Sequence, residues 1–64
     1  MPVITVEMLP GRTPEQKREL IDVFTREFVR ICKTRPEAVK IVIHDIPPEN
    51  FGSGGLPMSD QVGK

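Results

Sequence analysis

Apolar and polar residues alternate at the start of the chain. Ile4, Val6 and Met8 fall on one side, and Val3, Thr5, Glu7 and Leu9 on the other. Alternation in a β-branched run predicts a strand over Val3–Leu9, stopped by Pro10-Gly11. The spacing then changes. Leu20, Ile21, Phe24, Phe28, Ile31 and Cys32 recur at helical intervals, with Arg18, Asp22, Arg26 and Arg30 opposite them. Thr13-Pro14-Glu15-Gln16 supplies an N-cap threonine, a proline in the first helical turn and a glutamine at the third helical position, the signature of a capping box. The helix is expected to end near Lys33, because Pro36 disfavours helical geometry at Arg35. Alternation returns over Val39–His44 and predicts a second strand. A turn-rich Asp45–Asn50 follows, then Phe51-Gly52-Ser53-Gly54-Gly55, a loop with a short hairpin, and a polar end.

Strand, helix, strand within about forty residues predicts an α/β fold: a single β-α-β unit with parallel strands and a right-handed crossover, plus a short C-terminal hairpin. The 64 residues form one domain, residues 1–64. Parallel sheets are normally covered on both faces. One helix covers one face, that of Ile4, Val6, Met8, Val39, Ile41 and Ile43. The other face mixes Val3, Thr5, Leu9 and Val42 with Glu7, Lys40 and His44, a composition that suits a subunit interface beside a site.

Size leads to the same expectation. A core this small supplies no more than about 3–5 kcal/mol by itself, and disulfides, metals or association make up the difference. Cys32 is the only cysteine and His44 the only histidine, so neither an intrachain disulfide nor a Cys/His zinc site is expected. Association is the remaining device. The formal net charge of zero argues against nucleic-acid and membrane-surface partners. Glu7 and Pro10 interrupt any signal-like stretch, and no run approaches the ~20 apolar residues of a membrane span. One reduced cysteine suits a cytoplasmic address.

Candidate chemistry begins at Pro2. If Met1 is removed, Pro2 becomes an N-terminal secondary amine, fixed against a strand end. Such an amine acts as a general base when neutral, and desolvation with nearby cations favours the neutral form. Arg12 precedes the helix cap, at the positive end of the helix dipole, where a cation is comfortable only with an anion bound; its guanidinium grips a carboxylate through two parallel hydrogen bonds. Phe51, the only aromatic outside the helix, suits a pocket wall that lowers the local dielectric. Cys32 reads as a buried small hydrophobe, and Glu7 pairs with either Lys40 or His44 across the sheet.

Pro2 after the start methionine, Pro10-Gly11-Arg12-Thr13 followed by Glu15-Gln16-Lys17, and Phe51-Gly52-Ser53-Gly54-Gly55 stand in the order and spacing of a known family. In these the chain resembles the 4-oxalocrotonate tautomerases of the small-subunit tautomerase superfamily, to about Gly55. The resemblance implies β-α-β subunits assembled as a homohexamer, a trimer of dimers. It implies proton transfer by Pro2, with no metal or organic cofactor. Cations, here Arg12 and Lys40, would bind a small dicarboxylate or 2-hydroxy acid, and Phe51 would close the pocket. At the strand position of Lys40 the family's enzyme carries an arginine, so the charge is kept and the planar fork is lost. The expected reaction is conversion of a dienol such as 2-hydroxymuconate to its conjugated keto isomer. Two alternatives accompany it: hydration or dehalogenation of short unsaturated acids, and a non-catalytic role in a mixed hexamer.

Overall fold

In the computed structural model, which describes residues 1–61, the first alternating run forms strand β1 (Val3–Met8) and the second forms β2 (Lys40–Asp45). The last three residues of the expected 1–64 domain lie outside the described residues. The strands are parallel and pair in simple register, from Val3 beside Lys40 to Met8 beside Asp45. Two bonds close the ladder: the Lys40 N–H donates to the Pro2 carbonyl at 3.0 Å, and the Ile46 N–H donates to the Met8 carbonyl at 2.7 Å. Between them runs helix α1 (Pro14–Cys32), the crossover element.

The start of α1 follows the chemistry of its sequence. The Thr13 hydroxyl accepts from the Gln16 N–H at 3.1 Å, and the Gln16 side-chain carbonyl accepts from the Thr13 N–H at 2.9 Å. This reciprocal box satisfies two backbone donors that an uncapped helix leaves open. At the other end Lys33 takes a left-handed conformation (φ 56°), and its N–H donates to the Val29 carbonyl at 2.9 Å. A short 3-10 turn (Pro36–Ala38) then leads into β2.

Helix α1 covers one face of the sheet. Ile4, Val6, Met8, Ile41 and Ile43 are half-buried beneath it, and Leu20, Val23, Phe24 and Phe28 are the half-buried helix residues that meet this layer in pattern. Asp45 shares the face of Met8 and forms an ion pair with Lys17 of α1, which ties the helix start to the far end of β2. Val3, Thr5, Glu7, Lys40, Val42 and His44 form the uncovered face and are all exposed. On it the His44 Nδ1 lies 3.0 and 3.1 Å from the two Glu7 carboxylate oxygens, so Glu7 pairs with His44 and not with Lys40.

Three expectations for α1 need correction. Cys32 is exposed rather than buried, and Ile31 and Ile21 of the same stripe are 64% and 42% exposed. The 19 residues of α1 span about 28 Å, whereas a six-residue strand spans about 20 Å, so the helix is longer than the sheet it covers. Helical periodicity places Ile31 on the inner stripe but does not reveal how much of the helix the sheet can cover.

Beyond β2 a second 3-10 turn (Pro48–Asn50) precedes the hairpin of β3 (Gly52–Ser53) and β4 (Leu56–Pro57), followed by a third 3-10 turn (Met58–Asp60). The two-residue hairpin loop holds Gly54 at φ 64° and Gly55 at φ 86°. A tight loop of this kind requires positive φ at both central positions, which glycine adopts without a side-chain penalty. The Gln61 amide donates to the Ser53 and Leu56 carbonyls at 3.3 and 3.2 Å and braces the hairpin.

The layers do not enclose an interior. Val39, at 8% exposure, is the only buried hydrophobic residue among those described. The Cα radius of gyration is 14.9 Å, against about 10.7 Å for a compact domain of this length. Replacing Thr13 with alanine is expected to lower stability by about 1 kcal/mol per chain through loss of the cap. Urea unfolding at fixed protein concentration, which holds any contribution of association constant, measures it.

Candidate active site

Pro2 sits immediately before β1, half-buried, with its carbonyl held by the Lys40 N–H. The ladder thus fixes the proline next to the first residue of β2. In the full chain Met1 acylates the Pro2 nitrogen and is 87% exposed. Without Met1, the secondary amine would lie one atom beyond Pro2 Cα, just outside the last rung of the ladder.

Lys40 brings a cation to this edge. Its Nζ donates to the Glu37 carbonyl at 3.1 Å, so the 3-10 turn before β2 steadies the ammonium. An ammonium has three donors, and this contact uses one. Lys40 forms no ion pair among the described residues. Arg35 flanks the same 3-10 turn at its N-cap and is exposed.

Arg12 lies elsewhere. It precedes the cap of α1, at the end of the sheet where Lys17 meets Asp45. Six residues of β1, about 20 Å, separate it from Pro2, farther than an arginine side chain reaches. There it borders an open cleft of about 340 Å³ with Gln16, Glu19, Leu20 and Val23. It makes no hydrogen bond or ion pair among the described residues. Phe51 follows the turn beyond β2, also past the far end of the sheet. Its N–H donates to the Pro48 carbonyl at 3.2 Å, its carbonyl accepts from the Met58 N–H at 2.7 Å, and the residue is 37% exposed.

One chain therefore brings together Pro2 and Lys40 but not Arg12 or Phe51. Parallel strands dictate this: both strand starts share one edge, and the loops after both strands share the other. A site containing all four residues needs more than one copy. The cleft at Arg12 escapes the sequence reading, although positions 12, 16, 19, 20 and 23 carry the helical spacing that would reveal it. Among the described residues no cluster of three or more His, Cys, Asp or Glu side chains is arranged to hold a metal, and no helix is long and apolar enough to cross a membrane.

Comparison with known proteins gives a consistent picture. A family model described as "Tautomerase enzyme" matches residues 2–61. A probable tautomerase of Halalkalibacterium halodurans is 34% identical over 61 residues, covering 95% of this chain and all of that protein. A 2-hydroxymuconate tautomerase of Comamonas testosteroni is 39% identical over 56 residues, covering 88% of this chain and 89% of that one. Among solved structures, TomN, a 4-oxalocrotonate tautomerase homologue in the tomaymycin biosynthetic pathway, superposes with a TM-score of 0.91 at 28% identity, covering 98% of this chain and 97% of TomN.

Proposed function

The chain belongs to the tautomerase family, and from that premise we propose that it is an isomerase for small unsaturated 2-hydroxy acids such as 2-hydroxymuconate. It converts the dienol to the conjugated keto form with Pro2 as general base and acid, and with no cofactor. The observation that supports this reading is the bond from the Lys40 N–H to the Pro2 carbonyl, which holds Pro2 next to the strand residue that carries the Lys40 cation; removal of Met1 would free the Pro2 amine there.

The chemistry balances within the substrate. The neutral Pro2 nitrogen takes the 2-hydroxyl proton, the O–H electron pair becomes the carbonyl bond, and the conjugated double bonds shift. A carbon of the chain then takes a proton from the Pro2 nitrogen, which returns to its neutral form. Lys40 stabilises the enolate oxygen as charge develops on it. Arg12 of a neighbouring copy grips a carboxylate in its two-donor fork, and Phe51 of a neighbouring copy shields the pocket from water. The cationic surroundings favour the neutral, proton-accepting amine.

Association follows from the same reading. The uncovered sheet face, the near-absence of buried residues and the separation of Arg12 from Pro2 all support copies packed together; we take the assembly to be a homohexamer built from dimers, working in the cytoplasm. Light scattering on the chain purified alone is expected to give six copies; a chain that remains unassembled would instead favour a mixed hexamer with a second chain type.

Replacing Pro2 with alanine is expected to lower kcat/KM for a 2-hydroxydienoate by about 10²-fold or more, the usual worth of a positioned proton-transfer group. Unchanged turnover would refute the mechanism. A complementation test checks the shared site. Pro2→Ala and Arg12→Ala chains, each weak alone, are expected to recover activity when refolded together, because some sites then combine an intact Pro2 with an intact Arg12 from the other chain.

A further inference from the structure

The charges of this chain cancel overall but are unevenly placed. Three ion pairs neutralise locally: Lys17 with Asp45, Arg26 with Asp22 and Arg30 with Glu27. Among the described residues, the cations Lys33, Arg35 and Lys40 form no ion pair, and all three are exposed. They cluster where α1 ends and β2 begins, with Glu37 the acid among them. The acids without a Lys or Arg partner among the described residues, Glu7, Glu15, Glu19, Glu49 and Asp60, stand toward the other end with Arg12 and Arg18. The edge that holds Pro2 is therefore net positive, and the opposite end net negative.

Local structure accounts for one of these cations and not for another. Lys33 is the C-cap of α1, at the negative end of the helix dipole, which a cation offsets. Arg35 lies beyond the helix, at the N-cap of the 3-10 turn, and its side chain caps nothing. The backbone nevertheless fixes its place. The Arg35 carbonyl accepts from the Ala38 N–H at 3.0 Å, the Pro36 carbonyl accepts from the Val39 N–H at 3.1 Å, and the next N–H, of Lys40, reaches Pro2. A 3-10 turn rises about 2 Å per residue and a strand about 3.3 Å, so the Arg35 backbone stands within roughly 13 Å of that of Lys40. A charge acts over that span at low ionic strength without contact.

We propose that Arg35, with Lys33, steers anionic substrate to the Pro2 edge from a distance and does not touch the reacting acid. The proposal rests on the proton-transfer reading above, which makes that edge the anion's destination. A positive edge raises the local concentration of anions, and the acidic far end turns them away. The gain belongs to the approach, so it enters kcat/KM and leaves kcat alone. It also scales with substrate charge. The interaction energy of a dianion is twice that of a monoanion at the same place, so its rate factor is the square. Lys40, tethered to the Glu37 carbonyl, continues the same field up to the site.

Kinetics of the assembled protein at two salt concentrations test the steering. In about 20 mM salt, where the Debye length is about 20 Å, the Lys33→Gln/Arg35→Gln double variant is expected to lose about fivefold in kcat/KM for 2-hydroxymuconate, a dianion. For a monoanionic 2-hydroxydienoate the loss is expected to be about twofold, with kcat unchanged for both. In about 0.5 M salt wild type and variant are expected to converge. Arg35→Lys keeps the charge and loses the fork, and is expected to match wild type. Equal losses for the two acids, a loss that persists in high salt, or Arg35→Lys as impaired as Arg35→Gln overturns the proposal in favour of a direct or structural role. Adipate, an unreactive dianion, reads the field without turnover: its calorimetric affinity is expected to fall about fivefold in the double variant at low salt only. Pro2-dependent turnover with kcat/KM and adipate affinity unmoved by the double variant sinks the steering alone. The expected adipate result with no Pro2-dependent turnover sinks the proton-transfer reading alone.

Discussion

Two parallel strands must be joined by a crossover, and 64 residues leave room for only one helix to make it. That helix can lie on one face of the sheet and not on both. Most of what distinguishes this chain follows. The layer beneath α1 is apolar but thin, and among the described residues only Val39 is buried. The opposite face carries Val3 and Val42, at 58% and 38% exposure, in the open. The hairpin after β2 projects onward rather than folding back to cap that face, and the whole is a plate 43 × 24 × 14 Å. Ordering a chain costs roughly 1–2 kcal/mol per residue in backbone entropy, and a plate with one buried residue offers little to set against that. On the proposed reading, association would serve stability as well as complete the site.

The same constraint divides the candidate chemistry. In a parallel pair both strand starts lie at one edge, so Pro2 meets Lys40 there. Both strand ends lie at the other edge, where the loops carry Arg12 and Phe51. No side chain bridges the distance between the edges. On the proposed reading a base without its carboxylate grip does little chemistry, and packing copies together would serve stability and site completion at once.

Much of this was legible in the residues because local rules and global fold agree. Alternation located both strands to within one residue at each end, and Thr13-Pro14-Glu15-Gln16 located the start of α1. The division of the strands into a covered and an open face also came through, since the pleat leaves no choice once the helix is placed. What failed to come through depends on lengths and on partners. Cys32 and Ile31 sit on a helix that outruns its sheet, and periodicity is blind to where the sheet stops. The choice of Glu7 between Lys40 and His44 was open until register was known; register puts His44 directly opposite. The Lys17–Asp45 pair was overlooked although Asp45 continues the inward series of Ile41 and Ile43. At the site, residue types suggested roles for Pro2, Arg12, Lys40 and Phe51, whereas their division between two edges needed the topology.

On the proposed reading, the position of Pro2 in the ladder addresses a conflict that any N-terminal base must meet. Chain ends fray, yet a proton-transfer group has to stay within a fraction of an ångström of its target. An amine that is itself hydrogen-bonded into a sheet would be held still but have no lone pair to offer. Here the anchor is the Pro2 carbonyl, which accepts from the Lys40 N–H at 3.0 Å. Proline's ring fixes φ, so few rotations separate the anchored carbonyl from the nitrogen. The nitrogen is held by the ladder without being part of it. Because the anchoring N–H belongs to Lys40, the bond that restrains the base also sets where the neighbouring strand places its cation. Position and electrostatics are coupled through a single backbone hydrogen bond, and a shift of register by one residue would turn the Lys40 side chain to the helix-covered face while exposing Val39 in its place.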